Sequence, residues 1–307
     1  MGQRPGGPGV VNGTRLATAR LHTLMRIHHL NCGSMCPYGG WLFDGTTPGL
    51  GPARLCCHCL LIEAPGGLVL VDTGFGTADV TRPVPRLSRF FLALDRITLD
   101  RRDTALEQVA ELGFHPGDVR HIVLTHLDFD HAGGIADFPH ATVHVMAEEA
   151  AAARSRRGLL RRRRYRPAQF RAARSWREYA MPAGESWFGF ASVRALTGLP
   201  PEILMVPLPG HSPGHAGVAV RTQGRWLLHA GDAVFHQGEL ADGPSPAPLA
   251  LAYQWLMRTD RRAWRQNRER LRTLVHAQGD AVSVVCSHDF HDLLQRQREA
   301  ETLKAGA

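Results

Sequence analysis

Residues 125–134, which read THLDFDHAGG, carry a high density of side chains that can bind a metal. Four candidate donors fall within six positions: His126, Asp128, Asp130 and His131. The apolar run at residues 121–124 predicts a buried strand before them, and a Gly-Gly pair follows them. Imidazoles and carboxylates concentrated where a strand passes into a loop suit one or two divalent metals. The alternative, a solvated polar loop with stray histidines, would not account for further donors downstream.

Three later residues are candidate donors of the same kind. His211 lies in a turn rich in proline and glycine, Asp232 closes a short apolar run, and His288 ends a β-branched run. Each of them stands where a predicted strand gives way to a loop. Polar side chains at the ends of neighbouring strands converge on one rim in layered α/β proteins. We therefore expect these three residues to meet the first four at such a rim.

The order of these donors resembles the motif series of the metallo-β-lactamase superfamily. Asp72-Thr73-Gly74, after the apolar run at residues 68–71, matches an early motif of that superfamily. The matching motifs span most of the chain. The resemblance implies an α/β fold, a four-layer αβ/βα sandwich with metals at one edge of the two sheets. It favours a single domain over residues 21–307, after a tail at residues 1–20 that its glycine, proline and arginine content predicts to be disordered.

Carried over residue by residue, the resemblance implies a binuclear centre with two divalent metal ions, zinc being the first expectation. The ligands of one metal would be His126, Asp128 and His211. The ligands of the other would be Asp130, His131 and His288. Asp232 would bridge the two metals, and Asp72 would orient a ligand without binding a metal itself. His215, four residues after His211, is expected to pack behind the ligands.

Asp128 departs from the pattern of the hydrolytic branches, which usually carry a second histidine at this position. The flavodiiron branch of the superfamily carries a glutamate there. An aspartate is a harder and anionic donor, so it should shift the preference from zinc toward manganese or iron. It should also make a metal-bound water less acidic than at a centre richer in histidine.

The resemblance implies a metal-dependent hydrolase in which a bridging hydroxide attacks an ester-type bond of a lactone, carboxylester or thioester. Asp130 or Asp232 would pass the proton to the leaving group, so these two are the predicted catalytic residues. The sequence of the first motif is most similar to that of the N-acyl-homoserine-lactonase branch. Glyoxalase-II-like thioesterases also fit the motifs. Phe235 stands where those lactonases carry a tyrosine, which leaves lactone specificity open.

Three alternatives remain. An arginine-rich stretch suggests a phosphodiesterase or nuclease, but the extra domains and exosites of those branches are not found. The carboxylate at Asp128 suggests an iron-dependent oxidoreductase, but there is no room after His288 for the flavodoxin domain of the flavodiiron branch. A non-catalytic binding protein would be expected to have lost ligands, whereas here a single one is altered, and to another ligand type.

The net charge of +8 comes almost entirely from arginine. Eleven arginines crowd residues 154–177, here called the arginine-rich segment. A solvated helical face or loop is the favoured interpretation. An electropositive rim that steers an anionic small molecule or nucleic acid is the alternative. The expected partner is a small-molecule substrate, and nucleic acid is an unfavoured one.

The cysteines and apolar runs bear on the compartment. Cys56, Cys57 and Cys59 alternate with their neighbours along a predicted strand, so they are expected to be buried thiols and not a zinc site. No apolar run has the length of a membrane helix, and the first twenty residues have no signal-peptide core. These observations predict a cytoplasmic protein that makes no membrane contact. Met25 is an alternative start, because it opens the first strand-like run.

Hydrophobic patterning predicts the elements around the motifs. The predicted strands are residues 22–30, 55–63, 68–72, 120–125, 141–146, 203–207, 216–221, 225–230 and 281–286. A capping box at Thr104 and Glu107 predicts a helix that Gly113 ends. Further helices are predicted over residues 255–277 and 293–303. Gln223-Gly224 predicts a hairpin turn.

Overall fold

Two β-sheets carry the candidate donors. The computed structural model describes residues 25–181, 184–243 and 245–305, so the proposed tail over residues 1–20 lies outside the described residues. The strands of the first sheet are β1 (Arg26–Met35), β2 (Leu55–Ala64), β3 (Gly67–Val71), β4 (Ile97–Thr98), β5 (Val119–Val123), β6 (Thr142–Met146) and β7 (Ser175–Tyr179). Their spatial order is β4-β1-β2-β3-β5-β6-β7. The pairs from β3 to β7 are parallel, so these strands end at the same edge of the sheet.

The second sheet follows along the chain. Its strands are β8 (Glu185–Trp187), β9 (Phe190–Ala195), β10 (Ile203–Pro207), β11 (Ala216–Thr222), β12 (Arg225–His229) and β13 (Val282–Val285). Their spatial order is β13-β12-β11-β10-β9-β8. Neighbouring pairs are antiparallel except β12 with β13, which is parallel. Consequently β10, β12 and β13 all run in the same direction, and each ends close to a predicted donor.

The helices cover the outer faces of the two sheets and the loops between strands. The α-helices within the described residues are α1 (Trp41–Asp44), α2 (Thr77–Thr81), α3 (Pro83–Arg86), α4 (Arg89–Leu94), α5 (Ala105–Glu111), α6 (Ala147–Ser155), α7 (Leu159–Arg164), α8 (Pro167–Phe170), α9 (Pro248–Met257), α10 (Arg261–Gln278) and α11 (Phe290–Ala305). Short 3₁₀ turns lie at Arg101–Asp103, Pro116–Asp118, Gly133–Asp137, Gly231–Ala233 and Gln237–Glu239.

Three apolar clusters separate the layers. Side chains such as Ile62 and Val71 of the first sheet meet Met205 and Val218 of the second in a core between the sheets. The opposite face of the first sheet packs on α5 and α6, and that of the second packs on α10. Alternate residues of a strand face opposite sides, so strands covered on both sides are apolar throughout. This arrangement is the four-layer αβ/βα sandwich expected from the resemblance.

The predicted strands are found, with ends that differ by a few residues. The strand over residues 203–207 is found with the predicted bounds, and the first strand extends five residues further than predicted, to Met35. Thr104 caps α5 by accepting a hydrogen bond from the backbone of Glu107, as the capping box indicates. The two-residue strand β4 was not predicted, and neither were β7, β8 and β9. The segment from β7 to β9 mixes charged and apolar residues without a regular period, and β7 and β8 are each at the edge of a sheet.

The prediction of one helix over residues 255–277 is wrong. The chain leaves helical geometry at Arg258, and Asp260 caps a new helix by accepting from the backbone of Ala263. The break is stabilised from outside the helix, because the backbone N–H groups of Thr259 and Asp260 donate to the carbonyl of Gly210. The break therefore supports the turn that carries His211.

Candidate metal centre

The seven predicted donors meet at one edge of the two sheets. His126, Asp128, Asp130 and His131 follow β5, His211 follows β10, Asp232 follows β12, and His288 follows β13. The backbone N–H of Ala216 donates to the carbonyl of Thr125 at 2.9 Å, which ties the two sheet edges together. All seven donor residues are at least nine-tenths buried. Strand ends thus gather seven metal-capable side chains in a space shielded from water.

The first group consists of His126, Asp128 and His211, with one oxygen of Asp232. Asp128 Oδ2 lies 3.4 Å from His126 Nε2 and 3.1 Å from His211 Nε2. Asp232 Oδ2 lies 3.7 Å and 3.4 Å from the same two nitrogens. Four donors in tetrahedral array around a zinc ion would be about 3.4 Å apart, given metal–ligand distances near 2.1 Å. The spacing of this group fits one divalent metal.

The second group consists of Asp130, His131 and His288, with the other oxygen of Asp232. Asp130 Oδ2 lies 3.7 Å from both His131 Nε2 and His288 Nε2. Asp232 Oδ1 lies 3.2 Å from His131 Nε2 and 3.1 Å from His288 Nε2. This spacing also fits a tetrahedral metal. The two oxygens of one carboxylate therefore face two separate groups of donors.

Several inward-facing donor atoms have no hydrogen-bond partner. His126 Nε2, His131 Nε2 and Asp232 Oδ1 are buried and unpaired. An unpaired buried polar atom costs about 1–3 kcal/mol, so native proteins rarely leave several together. A metal ion that accepts their lone pairs would remove that cost. The residues present thus fit the two metals that the sequence pattern implies.

Contacts behind the imidazoles fix their orientation. His131 Nδ1 lies 2.8 Å from Asp72 Oδ2, and His288 Nδ1 lies 2.8 Å from the carbonyl oxygen of Cys56. These acceptors hold the proton on Nδ1, which leaves Nε2 free to bind a metal. Asp72 also accepts from the backbone and hydroxyl of Thr125, both at 2.8 Å. Its φ of 56° is rare for a residue with a side chain, so the fold holds this carboxylate in place against local strain.

His215 supports Asp232 from behind. Its Nε2 accepts from the backbone N–H of Asp232 at 2.9 Å, and its Nδ1 donates to the carbonyl of Leu208 at 3.1 Å. Gly231 has a φ of +55°, and a Cβ there would lie 2.6 Å from His215 Nε2. His215 therefore packs behind the candidate donors, as the sequence predicts.

Glu149 connects the two loops that carry the first group, and no sequence motif singles it out. Its carboxylate accepts from the backbone of Leu127 at 3.1 Å, from the Ser212 hydroxyl at 2.6 Å and from the backbone of Gly214 at 3.1 Å. The side chain is fully buried at the first turn of α6. One carboxylate thus fixes the His126 loop relative to the His211 turn.

Arg164, in the arginine-rich segment, reaches the first group. Its Nε lies 3.0 Å and 2.9 Å from the two oxygens of Asp128, and its Nη2 lies 2.6 Å from Oδ2. The same Nη2 lies 2.7 Å from His211 Nε2. Its side chain is 1% exposed. The interpretation of the whole segment as a solvated face is wrong for this residue.

The other arginines of the segment for which contacts are found bind the protein surface. Arg154 pairs with Glu178 through two hydrogen bonds of 2.7 and 2.9 Å. Arg163 stacks over Phe90, and Arg166 donates to the backbone carbonyl of Arg86 at 2.9 Å. Such exposed contacts contribute little to stability. These arginines therefore lie at the protein surface, whereas Arg164 enters the site.

The protonation of the first group follows from burial and from the Arg164 charge. Burial alone would raise the pKa of the Asp128 carboxyl, but Arg164 and the nearby histidines hold that pKa well below its usual range. Burial, reinforced by the Arg164 guanidinium, lowers the pKa of His211 to about 4. The neutral His211 and the anionic Asp128 are both in the forms that bind metals.

A pocket opens beside the donors. Its wall includes Phe235, Tyr253 and Asp95, besides Asp130, His288 and other donors. Phe235 packs against His288 with ring centroids 4.5 Å apart and against Tyr253 at 6.2 Å. Burial, with the nearby Asp130 charge, raises the pKa of Asp95 to about 7. Neither Asp95 nor Tyr253 stands in a motif, so sequence reasoning missed both.

The cysteines take no part in the candidate metal centre. All six are free, and Cys56, Cys57 and Cys59 are buried along β2, as predicted. Burial raises the pKa of each of these three thiols well above its usual value. Among the described residues, the groups with metal-ligand spacing contain histidine and aspartate and no cysteine.

None of the described helices is long and apolar enough to span a membrane.

Comparison with known proteins agrees with this architecture. A sequence model of the metallo-β-lactamase superfamily matches residues 55–284. A probable metallo-hydrolase of Mycobacterium tuberculosis is 42% identical over 276 residues, which cover 90% of this chain and 83% of that protein. An N-acyl homoserine lactonase of Bacillus cereus is 25% identical over 170 residues, which cover 55% of this chain and 60% of that protein.

Solved structures with the same fold include lactonases. One is an N-acyl homoserine lactone hydrolase with the product N-hexanoyl-L-homoserine at its catalytic metal centre. It superposes with a TM-score of 0.65 at 21% identity, covering 88% of this chain and 95% of that chain. Another is a dizinc quorum-quenching lactonase with its product, with a TM-score of 0.56 at 16% identity, covering 86% and 87%.

The chain belongs to the metallo-β-lactamase superfamily. The fold predicted from the resemblance is confirmed, and so is the similarity to the N-acyl-homoserine-lactonase branch. Its metallo-hydrolase relatives, together with the clustered donors, make it a metal-dependent hydrolase of that superfamily.

Proposed function

We propose that this chain is a binuclear hydrolase that cleaves an ester-type bond in a small molecule. One observation supports this most strongly: the two oxygens of Asp232 face two groups of donors, each spaced for a tetrahedral metal. The first metal would be held by His126, Asp128 and His211, and the second by Asp130, His131 and His288. Asp232 would bridge them. Zinc is the proposed metal at both groups, with manganese or iron as competitors at the first because Asp128 stands where the resemblance implies a histidine.

The chemistry of such a centre suits hydrolysis of a carbonyl ester. Two bound metals supply an acidified water as the nucleophile and polarise the scissile carbonyl. Asp130 lines the pocket while one of its oxygens faces the second group, so it is placed to carry a proton from the nucleophile to the leaving group. Asp232 holds the two groups at a fixed separation. Burial of the whole set excludes bulk water.

A second cavity indicates where the rest of a substrate would lie. Its volume is about 330 Å³, and it shares Phe43, Leu55, Phe235 and His288 with the pocket beside the donors. A volume of this order accommodates a small organic molecule. Aromatic and aliphatic side chains of its wall suit an acyl chain, while Arg54 presents a cation at the same wall. We infer an ester with an apolar acyl part.

Tyr253 offers a phenol at the site although Phe235 has none. The two rings are adjacent, and both line the pocket beside the donors. A hydroxyl on this wall can donate to the carbonyl oxygen or to the leaving group of a bound ester. This arrangement keeps a lactone among the proposed substrates. The product-bound lactonases with the same fold support that choice.

The alternatives have weaker support. The arginine-rich segment suggested a phosphodiesterase or nuclease, but its most buried arginine binds Asp128 and so is not available to a phosphate. Asp128 suggested an iron-dependent oxidoreductase, and that carboxylate is already neutralised by Arg164. Neither alternative has a specific observation in its favour. We therefore propose the ester hydrolase alone.

A substrate panel tests the proposed function. Metal-loaded protein is assayed on an N-acyl homoserine lactone, a p-nitrophenyl carboxylester, an acyl thioester and bis(p-nitrophenyl) phosphate, in water enriched in oxygen-18. We expect turnover of at least one carbonyl ester, one labelled oxygen in the acid product, and loss of turnover in chelator-treated protein. Turnover of the phosphodiester with none of any ester would contradict the proposal.

A further inference from the structure

Arg164 is fixed beside the first donor group by the backbone as well as by its own contacts. It is the last residue of α7, and the next residue, Tyr165, forms an isolated antiparallel bridge with Asp128. The guanidinium also donates from Nη1 to the carbonyl oxygens of Met257 at 2.6 Å and of His211 at 3.3 Å. Contacts with the Asp128 loop, the His211 turn and the end of α9 leave this side chain little freedom.

The guanidinium binds two atoms that a metal at the first site would need. These are Asp128 Oδ2 and His211 Nε2, at 2.6 and 2.7 Å from Nη2. An arginine side chain has donors and no acceptor, so the contact requires the Nε2 lone pair of His211. That lone pair and the Asp128 oxygen face each other at 3.1 Å. Unless a proton on Nε2 lies between them, two such atoms repel each other, and the positive charge of either Arg164 or a metal ion stabilises the pair.

The second donor group has no such competitor. Within the described residues, neither arginine nor lysine makes a hydrogen bond or an ion pair with Asp130, His131 or His288. The partners of these side chains are one another, Asp232, Asp72, the Thr125 hydroxyl and a backbone carbonyl. The first group therefore has a guanidinium that competes with a metal ion, and the second group has none.

The pair of Asp128 and Arg164 also preserves the charge of the site. A carboxylate in place of a neutral histidine adds one negative charge, and the guanidinium bound to it adds one positive charge. The bond to Asp128 Oδ1, at 3.0 Å, could persist while Oδ2 binds a metal. A metal then has to displace the Nη2 contacts and the 2.9 Å contact of Nε with Oδ2.

We propose that Arg164 is a positioning residue that competes with metal at the first site, so that the second site fills first and more tightly. This inference rests on the binuclear function proposed above. It predicts two metal sites of different affinity in one chain, and the difference is caused by a side chain that is not itself a ligand. Removal of the guanidinium should leave Asp128 as an uncompensated anion, which binds a divalent cation more strongly.

Metal titration of the apoprotein tests the inference. Metal-free full-length protein is titrated with Zn²⁺ in competition with a chromophoric chelator, and with Co²⁺ to follow the ligand-field spectrum of each site. In the wild type we expect two classes that differ by about tenfold or more in dissociation constant. In Arg164→Met the weaker class should tighten by about tenfold or more, with the tighter class unchanged.

Matched variants show whether a change in metal affinity comes from Arg164 and which site it affects. Arg162→Met removes the same charge from an exposed neighbour and should leave both classes unchanged. His288→Ala should remove the tighter class and leave the weaker one. Arg164→Lys keeps the positive charge without the planar guanidinium, so it should tighten the weaker class by a smaller factor. This variant replaces Arg164→Met in the test if Arg164→Met does not fold. Circular dichroism of each apoprotein establishes folding.

The outcomes separate the two proposals. If each folded Arg164 variant leaves the weaker class unchanged or weakens it, the inference is overturned while the binuclear function stands. Two equally tight sites in the wild type would overturn it in the same way. If the wild type binds fewer than two metals even at saturation, the binuclear function itself fails.

Discussion

Asp232→Ala is expected to lose at least one of the two metals and nearly all hydrolytic activity, a decrease on the order of a thousandfold or more. The reason is geometric. Each oxygen of Asp232 lies within 3.1–3.7 Å of two imidazole nitrogens of a different donor group, so its loss removes one donor from both sites. Elemental analysis and kcat/KM on the substrate identified in the panel measure the two effects.

The control for this variant is an aspartate far from the donors. Asp242→Ala removes a carboxylate that is 96% exposed and should keep both metals and full activity. Asp232→Asn tests the bridge with little change of shape, because an amide has one acceptor oxygen and cannot serve two metals equally. An Asp232→Ala protein that retained two metals and wild-type turnover would exclude the bridging role.

Asp128→Ala is expected to destabilise the metal-free protein by about 3–5 kcal/mol, because it leaves a buried guanidinium without its carboxylate. Arg164 is 1% exposed and has no other anionic partner among its hydrogen bonds. The free energy of unfolding in urea, measured with chelator present, detects this loss apart from any effect of metal binding. The same variant should also lose the metal of the first site.

The double variant Asp128→Ala with Arg164→Met provides the control. It removes both charges, so it should recover a large part of the stability that Asp128→Ala loses. For the same reason Asp128→His alone should be destabilised, although the resemblance implies a histidine at this position. Equal urea midpoints for the wild type and Asp128→Ala would show that the buried pair contributes nothing to stability.

The donor set could be predicted from the sequence because it depends on local patterns. Each of His126, His211, Asp232 and His288 follows an apolar run, and the ends of parallel strands meet at one edge. The resemblance implies that Asp72 orients a ligand without naming which one, and the structure shows that its partner is His131. The backing role of His215 was predicted because the first histidine of its turn matches the motif.

Arg164 could not be predicted in this way. It stands in a run of four arginines, and nothing in the run distinguishes it from Arg161, Arg162 or Arg163. Its contact depends on the pairing of Tyr165 with Asp128, which are far apart along the chain. The direction in which a short helix points its last residue is a property of tertiary packing. A carboxylate in place of a neutral ligand was the one hint that a compensating cation was needed.

The break between α9 and α10 was missed for a related reason. Apolar residues continue across it at spacings that suit one helix, from Trp255 to Trp264. The capping signal of Asp260 was present but is weaker than that periodicity. What decides the outcome is the carbonyl of Gly210, a partner supplied by a distant turn. Tyr253 and Asp95 reach the pocket through such tertiary contacts as well.

The metal content of the purified wild-type protein tests the binuclear centre most directly. Protein expressed in medium supplemented with zinc, and never exposed to chelator, is analysed by plasma mass spectrometry against a protein concentration from amino-acid analysis. Seven donors in two groups predict two metal ions per chain at saturation. One metal ion per chain at saturation, or none, would contradict the binuclear centre on which the proposed function depends.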